Sequence, residues 1–288
     1  MQKRRDKAIF FDWDGTAVYS RKTPAVDAVS AMKPLLAQNI KLVIVSGTTI
    51  DNIAGGHIEQ YFTKEELSNL YLGLGRGAYN YAFDQAGMPY VFEDRIPDKK
   101  TLLDIHSICF DIHKILLERY DFPTDIVFCR PNYCKIDLMV SNNRGDQLFL
   151  QENELVWLKK SLEEHGVIGG FQSLLHLAEA VGEAYHLNMK PTCDAKYLEV
   201  GISSKQDNVD TILSKLEADY GIRAEECSFW GDEYVGIESG IYGSDSFMKT
   251  DRSKAGRFFD VSDVSGERPE GVTVVGGGVS SFLNYLKD

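Results

Sequence analysis

Phe11-Asp12-Trp13-Asp14-Gly15-Thr16 sets two carboxylates one residue apart, directly after the apolar run Ala8-Ile9-Phe10-Phe11. A short apolar run without polar alternation suits a strand buried on both faces, the habit of parallel sheets covered by helices. Side chains alternate along a strand with period two, so Asp12 and Asp14 are expected on the same side. One can then attack while the other moves protons. The pattern returns in Lys41-Leu-Val-Ile-Val45, followed by Ser46-Gly47-Thr48-Thr49, and in Cys227-Ser-Phe-Trp-Gly231, followed by Asp232. If these runs are parallel neighbours, Asp12, Ser46 and Asp232 gather beyond their carboxyl ends, where open α/β sheets bind ligands. Taken alone, Asp-x-Asp-Gly-Thr also fits a turn held by side-chain to backbone bonds.

Outward from this stretch, Thr23-Pro24 opens a helix carrying Val26, Val29, Met32, Leu35 and Leu36, which Pro34 is expected to bend or shorten. After Gly77 the texture changes. Tyr79 to Phe83, Asp84-Gln-Ala-Gly87 and Tyr90 to Phe92 read as strand, turn and strand, a hairpin expected to open a new sheet. A long amphipathic helix (Lys99 to Tyr120), two strand-like runs (Ile126 to Cys129 and Lys135 to Val140) and a helix (Gln151 to His165) come next. From Tyr197 the alternation resumes with a strand to Ile202, a helix from Lys205 to Tyr220 closed by Gly221, and the strand at Cys227. Val272 to Val275 reads as the last strand, and the polar stretch Thr250 to Gly271 as a long surface connection. The expected architecture is α/β: a Rossmann-like parallel-sheet core from residues 1–78 and 194–288, split by an inserted α+β cap over 79–193.

The bulk numbers narrow the function classes. A chain of 288 residues has room for two hydrophobic cores. With 31 basic against 43 acidic residues the net charge is -12, which argues against a nucleic-acid partner. No stretch approaches the ~20 apolar residues of a membrane helix. The apolar run at Ala8 is broken by Asp12, too early for a signal peptide. Five scattered cysteines (Cys109, Cys129, Cys134, Cys193, Cys227), with no Cys-x-x-Cys pair, indicate neither a disulfide framework nor a thiolate zinc site. A cytoplasmic protein without an obligate protein partner is the expectation.

Asp12-Trp-Asp14-Gly-Thr16, Val45-Ser46-Gly47, Lys205 and Gly231-Asp232, in this order, resemble the four motifs of the haloacid dehalogenase superfamily. The interval from Tyr79 to Cys193 is similar to the large α/β cap of its Cof-type, sucrose-phosphatase and phosphomannomutase branch. The resemblance implies a Mg²⁺-dependent phosphatase of a small phosphorylated metabolite, a sugar phosphate above all. Asp12 is then the nucleophile that forms an aspartyl-phosphate, and Asp14 the general acid and later the general base. It implies that Ser46, with the N–H groups of Gly47 and Thr48, holds the phosphoryl oxygens where strand gives way to helix, and that Lys205 neutralises developing charge. The implied Mg²⁺ ligands are Asp12 and Asp232 by side chain and Asp14 by its main-chain carbonyl. A phosphosugar mutase and a catalytically weak binding or regulatory relative remain the rival readings.

The fourth motif departs from the family pattern, because Val235 and Gly236 stand where a second acidic residue is usual. Glu233, Glu238 and Asp245 are the candidates to replace it. Asp245 is favoured as the further metal ligand, since Gly243-Ser244-Asp245 resembles a phosphomannomutase segment. Substrate choice is expected in the cap, with Arg130, Lys135, Arg144, His186 and Lys190 as possible contacts. Gly73-Leu-Gly75-Arg-Gly77 lacks the spacing of a dinucleotide fingerprint and is read as the crossover from core to cap. His106 and His113 share a helix face without an acidic ligand set and are read as ordinary helix residues.

Overall fold

Four consecutive buried residues form β1 (Ala8–Phe11) in the computed structural model, which describes residues 6–128, 132–140, 152–193 and 196–288. Next come α1 (Val26–Ala37), β2 (Lys41–Val45), α2 (Lys64–Leu67), β3 (Leu70–Leu74), β4 (Tyr79–Phe83) and β5 (Pro89–Asp94). After them stand α3 (Lys99–Tyr120), β6 (Asp125–Val127), β7 (Tyr133–Asp137), α4 (Glu152–Glu164), α5 (Gly170–Ala184), β8 (Thr192–Cys193) and β9 (Tyr197–Gly201). The remainder comprises α6 (Lys205–Tyr220), β10 (Cys227–Gly231), β11 (Gly236–Glu238), β12 (Ile241–Tyr242), β13 (Arg257–Asp260), β14 (Val272–Val274) and α7 (Gly278–Lys287).

Two compact units emerge. The first holds the described residues up to Arg95 with Ser204–Val235 and Asp245–Asp288; the second holds Ile96–Ser203 and Gly236–Ser244. In the first, the described residues form an eight-stranded sheet of order β14-β13-β10-β1-β2-β3-β4-β5. It is parallel from β14 to β3 and antiparallel at β4 and β5. The period-two alternation builds two cores on its faces. Ile9, Phe11, Leu42 and Ile44 meet Met32 and Leu36 of α1 and Phe282 of α7, while Phe10, Val43 and Val45 meet Val209, Ile212 and Leu216 of α6. Each such side chain removed from water stabilises the unit by ~1.5–3 kcal/mol, enough to fix the register of β1 between β2 and β10.

The second unit has a four-stranded antiparallel sheet of order β6-β7-β9-β8. Ile105, Ile108, Ile112 and Leu116 of α3 pack with Phe171 and Leu174 of α5 against Cys134, Ile136, Leu198 and Val200 of the strands. The spacing of three, four and four along α3 places its buried residues on one stripe. Ile237 and Ile241 of the small β11–β12 hairpin belong to this same core.

The molecule is an α/β protein with a Rossmann-like, mainly parallel sheet, and it corrects several local expectations. The Tyr79 hairpin does not open a new sheet: β4 pairs with β3 and extends the first. Tyr197–Gly201 is not a core strand but pairs with β7 in the second unit. Contacts therefore divide the chain after Arg95 and after Ser203, where the expected limits stood at 78/79 and 193/194. Helix α1 runs through Pro34 to Ala37, because Leu35 and Leu36 continue its buried face and Gln38 Nε2 donates to the Pro34 carbonyl at 2.9 Å. Arg257–Asp260 in the supposed surface connection is a strand between β10 and β14. Cys129 and Gln151 lie outside the described residues, and Cys109, Cys134, Cys193 and Cys227 are buried. No helix among the described residues is long and apolar enough to cross a membrane.

Candidate active site

Parallel register levels the strand ends. Phe11 pairs with Ile44 and with Trp230, so Asp12, Ser46 and Asp232 leave the sheet at one edge. The Asp12 N–H still donates to the Trp230 carbonyl at 2.9 Å, and the Ser46 N–H to that of Gly73 at 2.9 Å. The chain then turns sharply, with the Gly15 N–H on the Val18 carbonyl at 2.7 Å. Gly15 has φ +89°, and a Cβ there would lie 2.2 Å from Asp232 Oδ2, so both backbone and space demand glycine. Thr16 Oγ1 donates to Asp232 Oδ1 at 2.8 Å, joining the first motif to the fourth.

Lys205 is the first residue of α6, whose start is fixed by a capping box: the Ser204 N–H donates to Asp207 Oδ2 at 2.8 Å. Its buried ammonium donates to Asp12 Oδ1 and to Asp245 Oδ1, each at 2.7 Å. Asp245 Oδ2 in turn accepts the N–H groups of Asp232 at 3.0 Å and Glu233 at 2.9 Å. Gly231 makes room for this, since a Cβ there would meet Asp245 Oδ2 at 2.3 Å.

Asp12, Asp232 and Asp245 bring carboxylate oxygens within 4.8 Å of one another. Loss of solvent pushes the Asp12 and Asp232 carboxyls well above the ordinary range, and their acidic neighbours add to this; Lys205 opposes it at Asp12. Burial would lower the Lys205 pKa, but Asp12, Asp245 and Glu233 outweigh it and raise the value well above the ordinary one. Three carboxylates around one ammonium leave excess negative charge. Asp12 Oδ2 and Asp232 Oδ2 stand outside the bonds above, so the donor set suits a hard, oxygen-seeking divalent cation.

Asp14 differs from Asp12. Its Oδ2 pairs with Arg21 Nη2 at 3.2 Å, while its Oδ1 is buried with no hydrogen-bond partner among the described residues. Burial raises its pKa against the pull of Arg21 and Lys205, so the group favours holding a proton more than a solvated aspartate does. Ser46 and Thr48 are buried, and the Thr48 N–H donates to Ser46 Oγ at 3.3 Å. Beyond Thr49 the chain forms not the expected helix but three short 3₁₀ turns, Ile50–Asn52, Ala54–Gly56 and Ile58–Tyr61. Among the described residues, nothing lies within 4 Å of the position of a Cβ on Gly47.

Among the acidic candidates, Asp245 joins the cluster, with both its oxygens already held by N–H donors. Glu233 is exposed, and Glu238 belongs to the second unit, where it accepts the N–H groups of Phe171 and Gln172. In that unit Lys135 pairs with Glu199 at 2.8 Å and lies over the Tyr197 ring. His186 follows α5 in the left-handed region, and the Lys190 N–H donates to the Gly201 carbonyl. Arg130 and Arg144 lie outside the described residues. His106 packs on Phe128, and His113 is bonded to Thr124 Oγ1. The glycine-rich segment stays in the first unit, where the Gly77 N–H donates to Asn208 Oδ1 at 2.7 Å.

Sequence reasoning missed three side chains. Arg21 and Thr16 act through contacts across loops, and only the threonine, inside the first motif, had any signal. The third is Tyr234, whose buried hydroxyl has no hydrogen-bond partner among the described residues and whose pKa is driven well above ten by burial and Asp245.

No protein-family model matches the sequence, and no curated protein matches it. Solved structures do match. The IMP-bound, N-terminally truncated IMP-nucleotidase of Plasmodium falciparum is 12% identical, with a TM-score of 0.59 over 98% of this chain and 68% of that one. Another structure of that nucleotidase is 14% identical with a TM-score of 0.52, covering 78% of this chain and 53% of the other. The chain thus spans about half to two thirds of the length of the nucleotidases it matches. Trehalose-6-phosphate phosphatase of Aspergillus fumigatus is 14% identical, with a TM-score of 0.53 over 99% of this chain and 92% of that one. What this chain shares with the nucleotidase and with the trehalose-6-phosphate phosphatase is the fold.

Proposed function

We propose that the protein is a Mg²⁺-dependent phosphohydrolase of small phosphorylated metabolites, sugar phosphates above all. The observation that carries the reading is the buried Asp12–Lys205–Asp245 chain with Asp232 and Asp14 at the same sheet edge. Asp12, Asp14 by its carbonyl, and Asp232, with Asp245 completing the cluster, would hold Mg²⁺, which supplies charge neutralisation at the phosphoryl oxygens.

This chain's own residues do the rest. An Asp12 oxygen forms the bond to phosphorus as the ester bond breaks, and Asp14 gives its proton to the leaving oxygen. Asp14, now ionised, takes a proton from water; that water attacks phosphorus, phosphate departs and Asp12 is restored. Lys205 holds Asp12 in place and favours its ionised form against the effect of burial, and Ser46 with the Gly47 N–H receives the transferred oxygens. IMP and trehalose-6-phosphate, for which the structural neighbours are named, are both phosphorylated on a sugar, which supports that substrate class here. The acidic balance supports an enzyme acting without nucleic acid, and the buried cysteines suit a cytoplasmic setting.

A panel of phosphosugars, nucleoside monophosphates and an aryl phosphate, assayed with Mg²⁺ and with chelator, tests the reading. Free phosphate rising as substrate falls supports hydrolysis. Isomerised phosphosugar without phosphate would make the protein a mutase, and no reaction at all a non-catalytic relative.

A further inference from the structure

The chain passes between its two units at four points, and two of these flank the β11–β12 hairpin. Asp232 to Val235 belong to the first unit, Gly236 to Ser244 to the second, and Asp245 to the first again. The hairpin is therefore a detour from the candidate active site, taken between the residues whose N–H groups bind Asp245 and Asp245 itself.

Both ends of the detour are pinned. In the first unit Asp245 Oδ2 closes the loop on the Asp232 and Glu233 N–H groups, and Asp245 Oδ1 holds Lys205. In the second, Ile237 and Ile241 are buried in the core, and Glu238 Oε2 accepts the N–H groups of Phe171 at 3.0 Å and Gln172 at 3.3 Å. Those are free amides in the first turn of the fifteen-residue helix α5, where the helix dipole favours an anion. The receiving turn is shaped for it. Gly169 and Gly170 have φ +89° and +55°, and a Cβ on Gly170 would lie 2.7 Å from Glu238 Oε1. A Gly-Gly step that costs helix stability is explained by the carboxylate it admits.

We infer that Glu238 is a positioning residue: by anchoring the hairpin to α5, it fixes the path of the chain that delivers Asp245 to Lys205. The effect on turnover rests on the phosphatase reading; the effect on the loop does not. Glu238 attacks nothing and binds no metal. It acts through the backbone from Gly236 to Ser244 on the place of Asp245, and Asp245 acts on Lys205 and Asp12.

The contact can be broken from either side, by Glu238→Ala or by Gly170→Ala. Amide hydrogen exchange in the Mg²⁺-loaded protein is followed at Asp232 and Glu233, together with kcat and KM on the best phosphosugar. Either variant should speed exchange at these two amides on the order of tenfold and lower kcat with little change in KM. The double variant should do no more than either alone, since both remove one interaction. Glu238→Gln, which keeps an acceptor oxygen, should recover part of the loss.

Faster exchange confined to the start of α5 and the hairpin, with Asp232, Glu233 and kcat unchanged, would reduce Glu238 to a local helix cap and overturn the inference. If the wild type hydrolyses nothing yet the Asp232 and Glu233 amides respond, the tether stands and the phosphatase reading falls.

Discussion

The loop from Asp232 to Asp245 uses one bonding pattern twice. Asp245 offers one oxygen to two successive N–H groups at the sheet edge, and Glu238 does the same at the start of α5. Their surroundings separate them. Asp245 is fully buried and its other oxygen holds an ammonium, whereas Glu238 is half-buried at a helix end. A buried charge is tolerable only when fully paired, so the first arrangement should fail abruptly and the second gradually.

The largest difference should appear on neutralising each carboxylate. Asp245→Asn leaves Lys205 with a single carboxylate partner and should cost about 3–5 kcal/mol in urea unfolding, together with nearly all turnover. Glu238→Gln should cost only about 0.3–1 kcal/mol. Equal costs would break the comparison.

Next comes Gly231→Ala. Its methyl group would press on Asp245 Oδ2 while leaving every charge in place, so kcat should fall by about 100-fold through misplacement, as measured in the phosphate-release assay. Unchanged kcat would mean that the position of Asp245 matters little.

The smallest effect concerns stability without metal. The folded pKa of Asp232 is raised, so the stability linked to its protonated form is complete below the unfolded value of ~3.9 and is lost as pH rises through the folded one. In chelator at neutral pH, Asp232→Asn should raise Tm by about 2–4 °C per kcal/mol of relieved charge, and the gain should shrink towards pH 4. Metal should bind more weakly as pH falls through the same raised range. A pH-independent Tm difference would show that the excess charge is not what strains the cluster.

How much was readable in advance tracks the same divide. The sheet edge was legible because apolar runs ending in Asp12, Ser46 and Asp232 combine a local period with a polar stop, and a parallel sheet leaves few ways to arrange them. Gly15 and Thr16 were legible as parts of a motif, though not the contact that each makes with Asp232. The hairpin at Tyr79 was legible as a hairpin, but which sheet it joins is a tertiary choice that strand alternation does not encode. Helix α5 passed unread, although Phe171, Leu174, Ala178 and Val181 carry helical spacing; its Gly169-Gly170 start reads as a loop until Glu238 is seen there. Asp245 was set above Glu238 by its resemblance to a family segment alone, since seven residues of sequence do not say that the chain changes units between them.

The central claim is that Asp12 takes the phosphoryl group. The most direct test is phosphate release by wild type and Asp12→Asn side by side, with Mg²⁺ and with chelator, each checked for an unchanged thermal transition. The wild type should release phosphate only with Mg²⁺ and a folded Asp12→Asn protein none; release by that variant at the wild-type rate would remove Asp12 as the nucleophile.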